Sequence, residues 1–111
     1  MVFLPDLHFI DGIPAISAVN SLNKYIDYFK ENLKSVDSNK LGIIGISFGG
    51  YLTNFIVGND SNFKAAVSGS GISNLISFYN SINNSFNMPR FSMLADNQIR
   101  MKSSFYDDKM R

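Results

Sequence analysis

Leu41 to Tyr51 reads LGIIGISFGGY, and this stretch decides the fold. An apolar run (Leu41, Ile43, Ile44, Ile46) leads into a tight turn, Gly45-Ile46-Ser47-Phe48-Gly49, and a helix-compatible run follows from Gly50 to Val57. Strand, sharp turn and helix form the setting in which G-x-S-x-G acts as a nucleophile elbow. A serine at such a tip takes strained backbone angles, and the chain on either side passes very close to itself. Gly45 and Gly49, two residues before and after Ser47, lack the Cβ atoms expected to collide there. Gly50 adds a further small residue where the helix presses on the sheet. The expected product is a positive φ at Ser47, an exposed hydroxyl above a helix N-terminus, and a Phe48 backbone N–H free to stabilise an oxyanion. With glycine at about 7% of average composition, a bare match arises by chance in roughly a few per cent of chains this long. Context therefore carries the assignment. The competing reading, a Gly-rich βα turn that holds a serine by accident, is disfavoured by the apolar strand before it and the helix after it. Ser47 is the candidate nucleophile.

Working outward toward the N-terminus, Val2-Phe3-Leu4 reads as the end of a buried strand stopped by Pro5. Residues 6–14 form a loop punctuated by Gly12 and Pro14. From Ala15 to Leu33 the apolar residues Ala15, Ala18, Val19, Leu22, Tyr25, Ile26, Phe29 and Leu33 recur at helical spacing, with Asn23, Lys24, Asp27, Lys30 and Glu31 opposite. That pattern predicts a one-sided amphipathic helix covering a sheet. Beyond the elbow helix, Gly58 is placed as a C-cap and residues 59–62 (NDSN) carry turn chemistry. Phe63 to Val67 reads as a third strand ending in Ser68-Gly69-Ser70-Gly71, a turn that would open on the same rim as Ser47. Ser73 or Asn74 is placed to cap a short helix through Tyr79. The order strand, helix, strand, helix, strand predicts an α/β fold with three parallel neighbouring strands and helices 15–33 and 50–57 on opposite faces. From Asn80 onward the pattern weakens, and Phe91, Met93, Leu94, Ile99 and Met101 point to one irregular helix.

The chain has 111 residues, 45% of them hydrophobic and 14% aromatic, which argues for one folded domain with a modest core. A formal net charge of +1 with scattered basic residues (Arg90, Arg100, Lys102, Lys109, Arg111) gives no electrostatic footprint for nucleic acid. No cysteine is present, so disulfides and cysteine-based zinc sites are excluded, and nothing else has metal-ligand spacing. No cofactor is expected. The opening MVFLPD has no positive n-region and its apolar run ends after Leu4, so neither a signal peptide nor a membrane span is read there. The compartment stays open, with the cytoplasm as the default. Opening on a strand-like run, the chain reads as a piece of a larger domain.

The runs VFLPDLHF and VDSNKLGIIGISFGGYLTNFIVGNDSNFKAAVSGSGISNLISFY resemble the catalytic domain of the prolyl oligopeptidase family of serine peptidases. The similarity is greatest to its acylaminoacyl-peptidase and dipeptidyl-peptidase-like members. Landmarks match in order: Asp37 to Lys40, the G-x-S-x-G-G-Y elbow, Phe63-Lys64-Ala65-Ala66, and Ser73-Asn74. The resemblance covers most of the chain, more loosely from 80 to 111. It implies an α/β-hydrolase fold over residues 1–111, a central piece with its elbow at 45–49, a parallel sheet with helices on both faces, and no second domain. It also implies a peptide substrate, Ser47 as acylating nucleophile and Phe48 as a backbone oxyanion donor.

The sequence also departs from that pattern. In this fold the triad runs Ser, then Asp or Glu, then His, yet the sole histidine, His8, precedes Ser47. A serine hydroxyl without a base is a weak nucleophile. The triad Asp and His are expected beyond the C-terminus, so Asp96, Asp107 and Asp108 are not promoted, and the family's second oxyanion donor, a tyrosine, is expected upstream of Met1. The fragment alone is thus expected to be inactive, with exposed sheet edges prone to self-association. His8 follows a strand end and could line the cleft, though a loop histidine making one local hydrogen bond is the plainer reading. Asp6 and Asp11 read as loop carboxylates, Tyr51 as packing on the first turn of the elbow helix, and the Phe and Met residues between 78 and 101 as packing or cleft-lining groups. Two alternatives stay open: an esterase or acyl hydrolase using the same elbow, and a non-catalytic interaction fragment.

Overall fold

The computed structural model describes residues 1–60, 62–83, 88–90 and 100–102. Helix α1 spans Pro14–Asn32, strand β1 Leu41–Ile46, helix α2 Phe48–Asn59 and strand β2 Phe63–Gly69. A short helix α3, Leu75–Tyr79, precedes two short antiparallel strands, β3 (Ile82–Asn83) and β4 (Met88–Pro89). Pro14 opens α1 at the position where a missing N–H costs nothing. α3 is capped by Asn74, whose side-chain oxygen accepts from the Ser77 N–H at 2.8 Å.

β1 and β2 pair in parallel, with Gly45 opposite Ser68 and Ile46 opposite Gly69. α2 is the crossover between them and packs along both strands. Its buried residues Tyr51, Leu52 and Ile56 form the core with Ala15 and Ala18 of α1 and with Met101, and Ile43 of β1 packs against that cluster. α1 therefore lies against α2, on the same side of the sheet. The expectation of helices on opposite faces fails. No strand precedes α1, so it is not a β-α-β crossover, and its buried Ala15 and Ala18 are drawn to Tyr51, Leu52 and Ile56 of α2 rather than to the far face. The other face carries Ile44 and Ile46, both 71% exposed, and Val67, 59% exposed. Among the described residues nothing covers it.

The predicted strand at 2–4 is also absent: residues 1–10 form no strand. They run along α1 instead, held by side chains one helical turn apart. Ser17 Oγ accepts from the Ile10 N–H at 3.0 Å, Ser21 Oγ from the His8 N–H at 3.2 Å, and the Tyr25 hydroxyl donates to the Asp6 carbonyl at 3.1 Å. Leu7 and Phe9, on the alternate positions, pack against the core, while Phe3 sits edge-on to Tyr25 and Phe29. The helix spacing of Ser17, Ser21 and Tyr25 matches the two-residue repeat of the segment, which satisfies its backbone without a sheet partner.

Gly58 does not cap α2. The helix runs on to Asn59, whose amide donates to the Phe55 carbonyl at 2.7 Å, and Asp60 closes it by donating its N–H to Ile56 at 2.8 Å. β3 and β4 pair antiparallel, with Ile82 opposite Pro89, and the Arg90 N–H donates to the Ser81 carbonyl at 3.1 Å. The Arg90 guanidinium lies 4.9 Å from the centre of the Phe78 ring, so it is not simply a solvated surface cation. Met101 is buried in the core, as a packing residue, and the Gly12 N–H donates to the Arg100 carbonyl at 2.8 Å. Phe91, Met93, Leu94 and Ile99, the rest of the expected irregular helix, lie outside the described residues, as do Asp96, Asp107 and Asp108.

Candidate active site

Ser47 stands alone between β1 and α2, with φ 58° and ψ −116°. A non-glycine residue rarely adopts such angles, which cost of order 1–3 kcal/mol and persist only where the surroundings fix them. Two hydrogen bonds do so here. The Ser47 N–H donates to the Gly69 carbonyl at 2.8 Å, and its carbonyl accepts from the Tyr51 N–H at 3.0 Å. The expected positive φ is present, and the residue is exposed.

The glycines of the elbow are not equally crowded. A Cβ on Gly45 would overlap the Gly49 carbonyl and lie 2.7 Å from Thr53 Oγ1. A Cβ on Gly50 would lie 2.6 Å from the Gly69 oxygen and 2.8 Å from the Gly71 Cα. Yet a Cβ on Gly49 would meet nothing within 4 Å. Gly49 contributes its closely approaching carbonyl, which also accepts from Thr53 Oγ1 at 2.9 Å, rather than a missing side chain. Gly45 and Gly50 bear the close approach.

Phe48 is the first residue of α2, where an N–H has no intrahelical acceptor. No acidic side chain occupies the first turn, so the positive end of the helix dipole beside Ser47 is not offset locally. The Phe48 ring is wedged between Phe9, 5.5 Å away, and Tyr51, stacked at 5.9 Å, which fixes the first turn as the sequence led one to expect of Tyr51. Burial pushes the Tyr51 hydroxyl above its ordinary pKa, so it stays a neutral phenol.

His8 is exposed, and among the described residues no hydrogen bond joins it to Ser47. Asp6 and Asp11 are exposed loop residues, and Asp37 pairs with Lys40 at 3.5 Å in its own turn. No group of three or more His, Cys, Asp or Glu capable of holding a metal occurs among the described residues, and no helix among them is long and apolar enough to cross a membrane. An apolar groove of about 110 Å³, lined by residues that include Pro14, Tyr51, Phe55 and Met101, does not include Ser47.

Pattern reasoning missed the shell behind the elbow. Ser68 Oγ donates to the Gly50 carbonyl at 3.0 Å, and the Asn54 amide to the Ile72 carbonyl at 3.3 Å. The signal for it was the SGSG run at 68–71, which does open beside Ser47.

A parallel β-α-β unit with a strained serine between strand and helix places the chain in the α/β-hydrolase class. The family model of the prolyl oligopeptidase family matches residues 17–107. The chain belongs to that family, whose members are serine-type peptidases. It is also 52% identical over 44 residues to an uncharacterized peptidase, YuxL, of Bacillus subtilis (strain 168). That match covers 40% of this chain and 7% of the relative, so the chain corresponds to a small part of the relative's length.

Proposed function

We propose that this chain carries the nucleophile of a serine peptidase site, with Ser47 as nucleophile and the Phe48 N–H as oxyanion donor. The observation that carries this reading is the φ of 58° at Ser47, which holds an exposed serine at the N-terminus of α2. In the reaction, Ser47 Oγ adds to the substrate carbonyl carbon as a base removes its proton. The negative oxygen of the tetrahedral intermediate is received by the Phe48 N–H and the α2 dipole. Collapse breaks the C–N bond, the base returns the proton to the leaving amine, and water then releases the acyl group from Ser47. Chain order in this class puts the acid and the histidine after the serine, whereas His8 precedes Ser47. In this proposal the base is a histidine outside residues 1–111.

Esters would react at the same elbow. The peptidase reading is preferred because the matched family and the Bacillus relative are both peptidases by description. The test uses the longest native polypeptide that contains this chain. Ser47→Ala should abolish peptide turnover with the melting temperature retained, a loss of several orders of magnitude. Near wild-type turnover in that variant would overturn the proposal.

A further inference from the structure

We propose that Ser68 is a positioning residue for the elbow, holding the first turn of α2 through the Gly50 carbonyl; this rests on the reading of Ser47 as nucleophile. The parallel register sets Ser68 opposite Gly45 and Gly69 opposite Ile46, so the end of β2 runs directly behind the turn. From there the chain is fastened to the elbow and α2 at Ser68, Gly69 and Ile72. The Gly69 carbonyl accepts from the Ser47 N–H at 2.8 Å, Ser68 Oγ donates to the Gly50 carbonyl at 3.0 Å, and the Ile72 carbonyl accepts from the Asn54 amide at 3.3 Å. Gly71 has room for no side chain: a Cβ there would meet Ser68 Oγ itself and lie 2.6 Å from the Gly50 carbonyl carbon.

The Ser68 hydroxyl is the one side-chain donor among these that reaches the first turn of α2, two residues after Phe48. Its bond fixes how the first turn sits on the sheet, and with it the direction in which the Phe48 N–H points. An oxyanion donor works by being aimed in advance at where charge develops, so a turn free to rock gives up transition-state stabilisation while leaving substrate binding untouched. Ser68 touches no substrate atom in this account. It acts through Gly50.

The test compares Ser68→Ala and Ser68→Thr in the longest native polypeptide containing this chain, with sites counted by fluorophosphonate titration. Ser68→Ala should lower kcat per titrated site about fivefold, the equivalent of one net hydrogen bond, with KM unchanged. Ser68→Thr, which keeps the hydroxyl, should restore most of it. Wild-type kcat per site in Ser68→Ala overturns the proposal. So does a loss that merely tracks fewer titrated sites, or a Thr variant as slow as the Ala one. Ser47→Ala run in parallel separates the two levels: labelling that persists there removes the nucleophile reading, whereas labelling that vanishes there while Ser68→Ala behaves as wild type removes only this one.

Discussion

Gly49 and Gly50 are neighbours in sequence and both lie in the first turn of α2, yet alanine should have opposite effects at the two positions. At Gly50 the new methyl would sit 2.6 Å from the Gly69 carbonyl oxygen, 2.8 Å from the Gly71 Cα and 2.9 Å from the Gly71 nitrogen. All three are backbone atoms, so no side chain can swing aside, and the helix must lift from β2. Overpacking of this kind costs about 1–3 kcal/mol, and rigid backbone on three sides argues for the upper end. The gain in helix propensity returns up to about 1 kcal/mol, leaving a net loss near 2 kcal/mol. At Gly49 the methyl meets nothing within 4 Å and φ is not positive, so only the propensity gain remains. The two variants should differ by about 2–3 kcal/mol, Gly49→Ala at or slightly above wild type and Gly50→Ala well below. Urea unfolding followed by circular dichroism on the longest native polypeptide reads the difference. Equal destabilisation by both, or a neutral Gly50→Ala, would refute the steric account of the elbow.

Other consequences are open to measurement. Because burial raises the Tyr51 pKa, the folded state binds its proton longer than the unfolded one, so this contribution to stability is complete below the ordinary value of about 10 and is lost as pH rises above it. Tyr51→Phe should therefore flatten the alkaline limb of a stability-pH curve above about pH 10, and an unchanged slope would contradict it. Ser17→Ala and Ser21→Ala each remove a tether of the N-terminal segment at about 1 kcal/mol, and should speed amide exchange at Ile10 and His8 respectively while leaving β1 protected. The isolated 111-residue chain should self-associate through the sheet face bearing Ile44, Ile46 and Val67, and Ile44→Lys with Val67→Lys should shift it toward monomer in light scattering. A wild-type chain that is already monomeric would show that this face is not adhesive.

The parts of the fold that the sequence made legible are those specified locally. The strand-turn-helix of 41–59, the amphipathic α1 and a cap at Ser73 or Asn74 each depend on residues a few positions apart, and the positive φ at Ser47 was marked by its local spacing although the Gly69 carbonyl helps to hold it. What sequence pattern left hidden depends on partners far along the chain. Three apolar residues at 2–4 suggest a strand, but Val2 and Leu4 are exposed, Phe3 makes ring contacts, and the Ser17-Ser21-Tyr25 ladder holds the following residues 6–10 along α1. The side on which α1 packs depends on its contacts with Tyr51, Leu52 and Ile56 of α2, which periodicity does not encode. Gly58 looked like a cap, but the Asn59 amide and the Asp60 N–H close the helix beyond it. At the site, the G-x-S-x-G spacing marked Ser47 correctly as the strained residue. It could not tell which glycine is crowded, because that crowding comes from Gly69 and Gly71 across the sheet.

The central claim is that Ser47 is the acylating residue, and mapping a covalent adduct tests it most directly. The longest native polypeptide containing this chain would be treated with a fluorophosphonate, digested and sequenced by mass spectrometry. The account predicts one modified residue, Ser47, with labelling and peptide turnover lost together as the adduct accumulates. An adduct on another residue, or undiminished peptide hydrolysis after Ser47 is fully modified, would contradict it.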